Sequence, residues 1–119
     1  MELIKIINAR NIFNKFVDRN DIGFHLSYWM TKFIAKTEND ERFYMSELQK
    51  IIKKYAKNQD ETLHIPEEHI DIFNSEVEKL EKTKVEDPMI RFNLSELAEE
   101  LKMSMRQIYP LLDFIDEDK

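Results

Sequence analysis

The three histidines are the first residues whose chemistry could be that of a metal site. His64 and His69 stand five residues apart, with Glu67 and Glu68 between them. Two ligands on one helix face need a spacing of three or four residues, and no H-E-x-x-H pattern occurs. His25 has no second histidine at helical spacing. We therefore expect no metal and no cofactor, and ordinary surface or helix-capping roles for the histidines.

Catalytic patterns are also missing from the carboxylates and the small residues. A general acid–base pair needs burial or close like charges to separate two pKa values, and no two acids fall on an apolar stripe. Asp113 has the most apolar neighbours, but the turn of a helix would point it to water. Gly23 is the only glycine, which excludes phosphate-binding loops, and cysteine is absent. We expect a protein that is not an enzyme.

Acidic residues are concentrated in the second half of the chain. The net charge is −6, and residues 65–119 hold 15 Asp and Glu against 7 Lys and Arg, whereas residues 1–64 hold 9 against 11. Such a half would repel phosphates and favour basic partners. The alternative is an ordinary solvated acidic surface. The acids that we select as candidate protein-binding residues are Glu67, Glu68, Asp71, Glu96, Glu99 and Glu100.

Aromatic residues are dense near the middle of the first half. Tyr28, Trp29 and Phe33 follow one another too closely to face one direction on a helix. Any ring left in solvent would be a candidate for protein binding or self-association. The alternative is that helices on two sides bury them all.

The stretch from Leu94 to Leu111 has the apolar rhythm of a helix-turn-helix. Its packing residues would be Leu97, Leu101, Ile108 and Leu111, with Ala98 at the close crossing of the helices. Its candidate groove-facing residues would be Ser104, Arg106 and Gln107. Lys102 stands where glycine is usual, Pro110 interrupts the second helix, and the segment is acidic. We favour a plain helical corner, and we do not expect nucleic acid as a partner.

The elements that position these residues should be helices. One glycine and three prolines in 119 residues leave little material for the tight turns of a sheet protein. Apolar residues three and four apart predict one long helix over Phe24–Lys57, which organises the fold. The six polar residues Thr37–Arg42 are its weakest part, where a kink or a loop is the alternative. We predict a single all-α domain over residues 1–119, with four or five helices and a minimal two-stranded ribbon.

The shorter segments follow from apolar spacing and from caps. The predicted first helix covers Leu3–Arg19, or begins only at Asn8, and a third helix runs from Pro66 to about Lys82. Asn93 or Ser95 caps the next helix, and Pro110 ends the last one. Asn58–Leu63 is predicted as a surface loop, and 85–92 as extended chain that pairs with 63–65.

Several segments in this order resemble a family of small helical proteins encoded by tailed phages and prophages. The segments that carry the resemblance are Ile6–Phe13, Ile51–Ala56, Phe73–Leu80, Phe92–Leu97 and Met103–Ile115. The resemblance implies a phage setting, and it supplies no catalytic residues because the family has no established activity.

Together these observations favour a protein-binding module with a virion-accessory or assembly role, whose partner is a phage or host protein. A second hypothesis is an acidic, anti-CRISPR-like inhibitor that mimics nucleic acid and blocks a host defence nuclease. A third is a helix-turn-helix regulator. A homo-oligomer is also a candidate assembly. The sequence begins without a signal-peptide pattern and holds no apolar run near the ~20 residues of a membrane span, so we expect no membrane partner and a cytoplasmic location.

Overall fold

The computed structural model describes residues 1–59 and 62–116, which form six α-helices, one 3₁₀ helix and four short strands. The helices are α1 (Leu3–Asn14), α2 (Phe24–Lys36), α3 (Glu38–Tyr55), α4 (Glu67–Glu81), α5 (Leu94–Glu100) and α6 (Met105–Ile108). The 3₁₀ helix is Tyr109–Phe114, and the strands are β1 (Lys57–Gln59), β2 (Thr62–His64), β3 (Phe92–Asn93) and β4 (Ile115–Asp116). The predicted all-α fold with a minimal ribbon is confirmed, but the predicted number of four or five helices is too low, because the described residues form six α-helices.

The first helix is shorter than predicted. It begins at Leu3, so the alternative start at Asn8 is wrong, and it ends at Asn14 rather than at Arg19. Past Asn14 the chain tightens, because the N–H groups of Lys15 and Phe16 donate to carbonyls only three residues back, those of Ile12 at 3.1 Å and Phe13 at 3.0 Å. Asn and Asp compete for backbone hydrogen bonds, which explains why the helix does not continue through this polar stretch.

The prediction of one unbroken helix over Phe24–Lys57 is wrong, because Thr37 separates α2 from α3. Its φ of −102° and ψ of 11° lie outside the helical range. The cause is Arg10, a buried residue of α1 whose guanidinium donates to Thr37 Oγ1 at 2.8 Å and to the carbonyl of Ile34. An unbroken helix would offer that carbonyl to the N–H of residue 38. Glu41 neutralises the arginine through two hydrogen bonds.

Four phenylalanines from four segments form the centre of the core. Phe13 lies 5.2 Å from Phe33 and 4.6 Å from Phe92, measured between ring centroids, and Phe114 lies 5.0 Å from Phe33. The Phe33 contacts with Phe13 and Phe114 are edge-on, the favourable arrangement for aromatic quadrupoles. α1, α2, β3 and the 3₁₀ helix are therefore joined by one aromatic cluster.

The ribbon is paired differently from the prediction. β1 pairs with β2 in antiparallel fashion, with Lys57 opposite His64, and β3 pairs with β4 in parallel, with Phe92 opposite Ile115. The predicted pairing of 63–65 with 85–92 is wrong. β2 pairs with β1 instead, because closing the shorter loop between adjacent strands costs less chain entropy. The prediction of a loop over Asn58–Leu63 is wrong at both ends, because residues 58–59 belong to β1 and residues 62–63 belong to β2. Residues 60 and 61 lie outside the described residues.

The β1–β2 hairpin turns the chain back, so that α4 runs antiparallel along α3. The ring of Tyr55, at the end of α3, lies 5.9 Å from the ring of His69 in the first turns of α4. The preceding residue of α3, Lys54, donates from Nζ to Glu76 Oε1 at 3.0 Å. The region where α1, α3 and α4 meet is closed by a second, smaller cluster of the buried residues Leu3, Ile7 and Leu80.

Candidate protein-binding surface

The first turns of α2 present two large aromatic rings to solvent. Phe24 is 95% exposed and Tyr28 is 57% exposed, and the two lie one turn apart on the same helix face. The ring of Tyr28 meets the ring of Trp29 edge-on at 5.2 Å, and Trp29 is half-buried against the main core. The helix fixes the spacing of the backbone positions that carry these rings.

The same end of α2 is bordered by the acids of α5. Glu96 Oε2 lies 3.0 Å from Nδ1 of His25, at hydrogen-bond distance, and Glu100 Oε1 accepts from the N–H of Gly23 at 2.6 Å. Gly23 is the residue immediately before α2, so both carboxylates lie near the positive end of the helix dipole. A Cβ on residue 23 would stand 2.7 Å from Glu100 Oε1, so any other residue there would displace the end of the Glu100 side chain from this hydrogen bond.

Local hydrogen bonds explain the position of α5. The side chain of Asn93 accepts from the N–H groups of Ser95 and Glu96, so the predicted helix cap at Asn93 is confirmed. The cap begins α5 directly after strand β3, whose Phe92 is fixed in the aromatic core. Glu96 and Glu100, one turn apart, therefore face the start of α2.

A cavity of about 220 Å³ opens between α2 and α5. Its lining residues are His25, Leu26, Trp29, Arg91, Phe92, Asn93 and Glu96. Leu26 and Phe92 supply apolar surface, while Trp29 and Glu96 supply an aromatic ring and a carboxylate. This combination suits an arginine or lysine side chain, because its stem packs on apolar groups and its charge interacts with a carboxylate and an indole.

The arginine that lines this cavity is internally neutralised. Arg91 Nη2 donates to Asp87 Oδ2 at 2.6 Å, and Asp87 Oδ1 also accepts from the N–H of Met89 at 2.8 Å. The hydrogen bond from Arg91 is the main reason that the pKa of Asp87 lies below its ordinary value. The charge left to attract a partner from solution is therefore that of the glutamates.

The structure brings together some of the residues selected from the sequence. Tyr28, Trp29, Glu96 and Glu100 lie on the α2–α5 surface, and Glu99 is exposed on α5. Phe33 is fully buried in the aromatic core, so its selection as a surface residue is wrong. Its ring contacts come from three other segments of the chain, which helical spacing alone could not identify.

The remaining selected acids lie elsewhere. Glu67, Glu68 and Asp71 occupy the first turns of α4, which packs beside the end of α3. α4 packs against α3 and α1, whereas α5 packs against β3 and α6. The acids selected from the sequence thus form two groups rather than one continuous face.

Sequence reasoning did not select Phe24 or His25. Phe24 could have been recognised from its i,i+4 spacing to Tyr28, because two aromatics on one helix face outside the apolar stripe must meet either solvent or a partner. His25 gave no such signal, since its partner Glu96 is 71 residues away in the sequence.

The helix-turn-helix segment forms a compact corner. Leu97, Leu101, Ile108 and Leu111 are buried as predicted, but Ala98 is exposed and does not lie at a helix crossing. The second helix, α6, has only four residues and is followed by the 3₁₀ helix that contains Pro110. Ser104 and Gln107 bond to each other's backbone in a capping box, and Arg106 is exposed. Two of the three candidate DNA contacts are therefore used to start α6.

No family model, curated protein or solved structure matches the chain. None of the helices in the described part of the chain is both long and apolar enough to cross a membrane. Over residues 1–59 and 62–116, no three His, Asp or Glu side chains converge in a group that could hold a metal ion. The function is therefore inferred from the geometry of the α2–α5 surface.

Proposed function

We propose that this chain is a non-catalytic protein-binding module, which recognises a basic segment of a partner protein through its α2–α5 surface. The observation that carries the proposal is the near-complete exposure of Phe24, with Tyr28 one turn away and Glu96 and Glu100 beside them. Aromatic anchors next to charged groups are typical of the energetic centres of protein interfaces.

The apolar contribution would come from the two exposed rings. Burying a Phe side chain is worth about 1.5–3 kcal/mol, so Phe24 and Tyr28 supply a substantial part of a micromolar affinity. Both rings stand on a helix that is anchored in the core through the buried residues Leu26 and Met30. The backbone that carries the rings is thus ordered before binding, which reduces the entropy that association would cost.

The polar contribution would select the partner's charge. Three glutamates lie on α5, namely Glu96, Glu99 and Glu100. The cavity beside them is lined by a carboxylate and an indole ring. A lysine or arginine entering this cavity would contact Trp29 and displace His25 from Glu96. Phosphate-bearing ligands would be repelled by the same acids.

The phage setting belongs to the same proposal and rests on the sequence resemblance. In that setting the basic segment would belong to a phage protein during virion assembly, or to a host protein. The fold offers a small, preformed helical surface for either partner. Identification of the protein that binds this surface in cells decides whether the partner is a phage or a host protein.

Selection of random peptides displayed on a carrier, with the pure protein as bait, tests the proposal. We expect the retained peptides to be enriched in Lys or Arg next to an apolar residue. Their binding should weaken at least tenfold in the variant Y28A/E96Q, which removes one ring and one charge. The matched control is E67Q/E68Q, which removes two charges from the other acidic group and should bind as the wild type does.

The outcomes separate the proposal from its alternatives. Peptides without basic enrichment, or equal binding by Y28A/E96Q and the wild type, would contradict the proposed surface. Loss of binding in E67Q/E68Q alone would place the interaction on α4 instead. Circular dichroism of each variant checks that the helices are intact.

A further inference from the structure

α3 is the longest helix among the described residues, and none of its side chains is fully buried. One side packs against α1 and α4 through Tyr44, Leu48 and Ile51, which are only half-buried. On the adjacent side a groove of about 430 Å³ runs between α3 and α4. Its apolar part is formed by Phe43, Ile51 and Leu80, and Phe43 is 46% exposed.

The open side of α3 carries one continuous stripe. Phe43, Glu47, Lys50 and Lys54 are spaced by four, three and four residues, which places them on a single helix face. All four line the groove. Within the chain, Lys50 Nζ lies 2.9 Å from Glu47 Oε1 and Lys54 Nζ lies 3.0 Å from Glu76 Oε1 of α4, and these exposed pairs are worth little by themselves.

The two ends of α3 carry net charges of opposite sign. Residues 38–47 hold four acids and one arginine, whereas residues 48–55 hold three lysines and no acid. The helix dipole favours this order in any helix, so charge order alone would carry little. Here the order coincides with an exposed ring and an open groove on the same face, which together describe a surface complementary to its own antiparallel copy.

We propose that a second copy of this chain docks on this stripe, with the two α3 helices antiparallel about a twofold axis between Glu47 and Lys50. Glu47 of each copy then faces Lys50 of the other, and the ring of Phe43 packs under the aliphatic stem of Lys54 of the other copy. A twofold interface is isologous, so each of these contacts occurs twice.

The stripe favours a second copy over an unrelated partner. When two antiparallel copies of the stripe face each other about its midpoint, Glu47 lies opposite Lys50 and Phe43 lies opposite Lys54. The helix is about 27 Å long at 1.5 Å per residue, so the whole stripe can be covered by one antiparallel helix. The α2–α5 surface uses other elements, and the dimer would leave it open.

Charge reversal with mixing tests the proposal. We expect the wild type to sediment as a dimer of the 14.4 kDa chain. In E47K alone, the introduced lysine would meet Lys50 of the other copy, and in K50E alone the introduced glutamate would meet Glu47. Each variant should dimerise about tenfold or more weakly, because like charges then meet twice per dimer. An equimolar mixture of E47K and K50E should dimerise again, since each copy now supplies the charge that the other needs.

The mixture separates the interface from effects inside one chain. Each reversal also removes the internal pair of Glu47 and Lys50, but mixing cannot restore that pair. The matched control is E38K, which removes the Glu38–Arg42 pair on the opposite side of α3 and should leave the dimer unchanged. F43A should weaken the dimer without loss of helix content in circular dichroism.

Three results would overturn the proposal. The first is a wild type that stays monomeric at several hundred micromolar protein. The second is a mixture of E47K and K50E that stays as monomeric as its components. The third is a dimer that E38K abolishes, or that survives both single reversals, because its interface would then lie elsewhere.

Discussion

Arg10 and Thr37 meet at the point where a long helix becomes two. Arg10 Nη1 donates to Thr37 Oγ1 at 2.8 Å, and the threonine hydroxyl in turn donates to the carbonyl of Phe33 at 2.7 Å. Thr37 is fully buried and Arg10 is 5% exposed, while Glu41 balances the charge. The break between α2 and α3 is therefore a tertiary feature, stabilised by a side chain of α1.

Removing either partner should destabilise the fold. We expect T37V to lower the free energy of unfolding by about 1–2 kcal/mol, because a buried guanidinium donor loses its acceptor. R10M should cost about 3 kcal/mol, since it leaves both Thr37 Oγ1 and the Ile34 carbonyl without this donor. Urea unfolding measures both values.

The double variant R10M/T37V shows whether the two residues act together. A coupling energy of about 1 kcal/mol is expected for residues in direct contact. Additive effects would mean that Thr37 is stabilised by its own helix, and that Arg10 does not set the break.

The backbone of Lys102 adopts a strained conformation. Its φ of 57° lies in the left-handed region that glycine adopts most easily, in the turn that follows α5. K102G should therefore raise the free energy of unfolding by about 0.5–1 kcal/mol. K102A is the control and should give no gain, because alanine keeps the Cβ. A loss of stability in K102G would show that the lysine side chain matters more than the backbone.

The pair of Asp87 and Arg91 should make stability depend on pH. The arginine hydrogen bond keeps the pKa of Asp87 below its ordinary value of 3.8. A carboxylate with a lowered pKa stabilises the fold above its ordinary pKa, and this contribution is lost as pH falls through the lowered value. D87N should therefore be less stable than the wild type at pH 7, by about 1 kcal/mol for a partly exposed pair.

The pH series distinguishes the charge from the shape of the side chain. The stability difference between wild type and D87N should stay constant from about pH 7 to 5, and it should shrink below about pH 4. A difference that does not change down to about pH 2 would mean that packing, and not ionisation, explains the effect.

Exposed and buried aromatics of α2 should respond in opposite ways to truncation. F24A should change the free energy of unfolding by less than about 0.5 kcal/mol, because its ring is in solvent. F33A should cost about 3–5 kcal/mol, since it opens a cavity among Phe13, Phe92 and Phe114. Thermal and urea unfolding of the two variants compare them directly. A large cost for F24A would mean that its ring packs on the fold and does not serve a partner.

Features set by neighbouring residues could be predicted from the sequence. The cap at Asn93 and the end of α6 before Pro110 depend on groups within a few residues. The break at Thr37 could not, because no Gly or Pro marks it and its cause is 27 residues away. The pairing of His25 with Glu96 could not be predicted either, because the two residues are 71 positions apart. Local patterns thus predict where helices form, while long-range polar contacts decide how they are bent and joined.

Site-specific photo-crosslinking from position 24 tests the proposed binding surface most directly. Phe24 is replaced by p-benzoylphenylalanine, which its 95% exposure allows without repacking. The matched control carries the same group at Tyr109, an aromatic residue that is 72% exposed on the 3₁₀ helix. In the cells that naturally make the chain, position 24 should crosslink to a discrete protein with a basic segment, and E96Q should reduce the yield. No crosslink, or the same products from both positions, would contradict a protein-binding role for the α2–α5 surface.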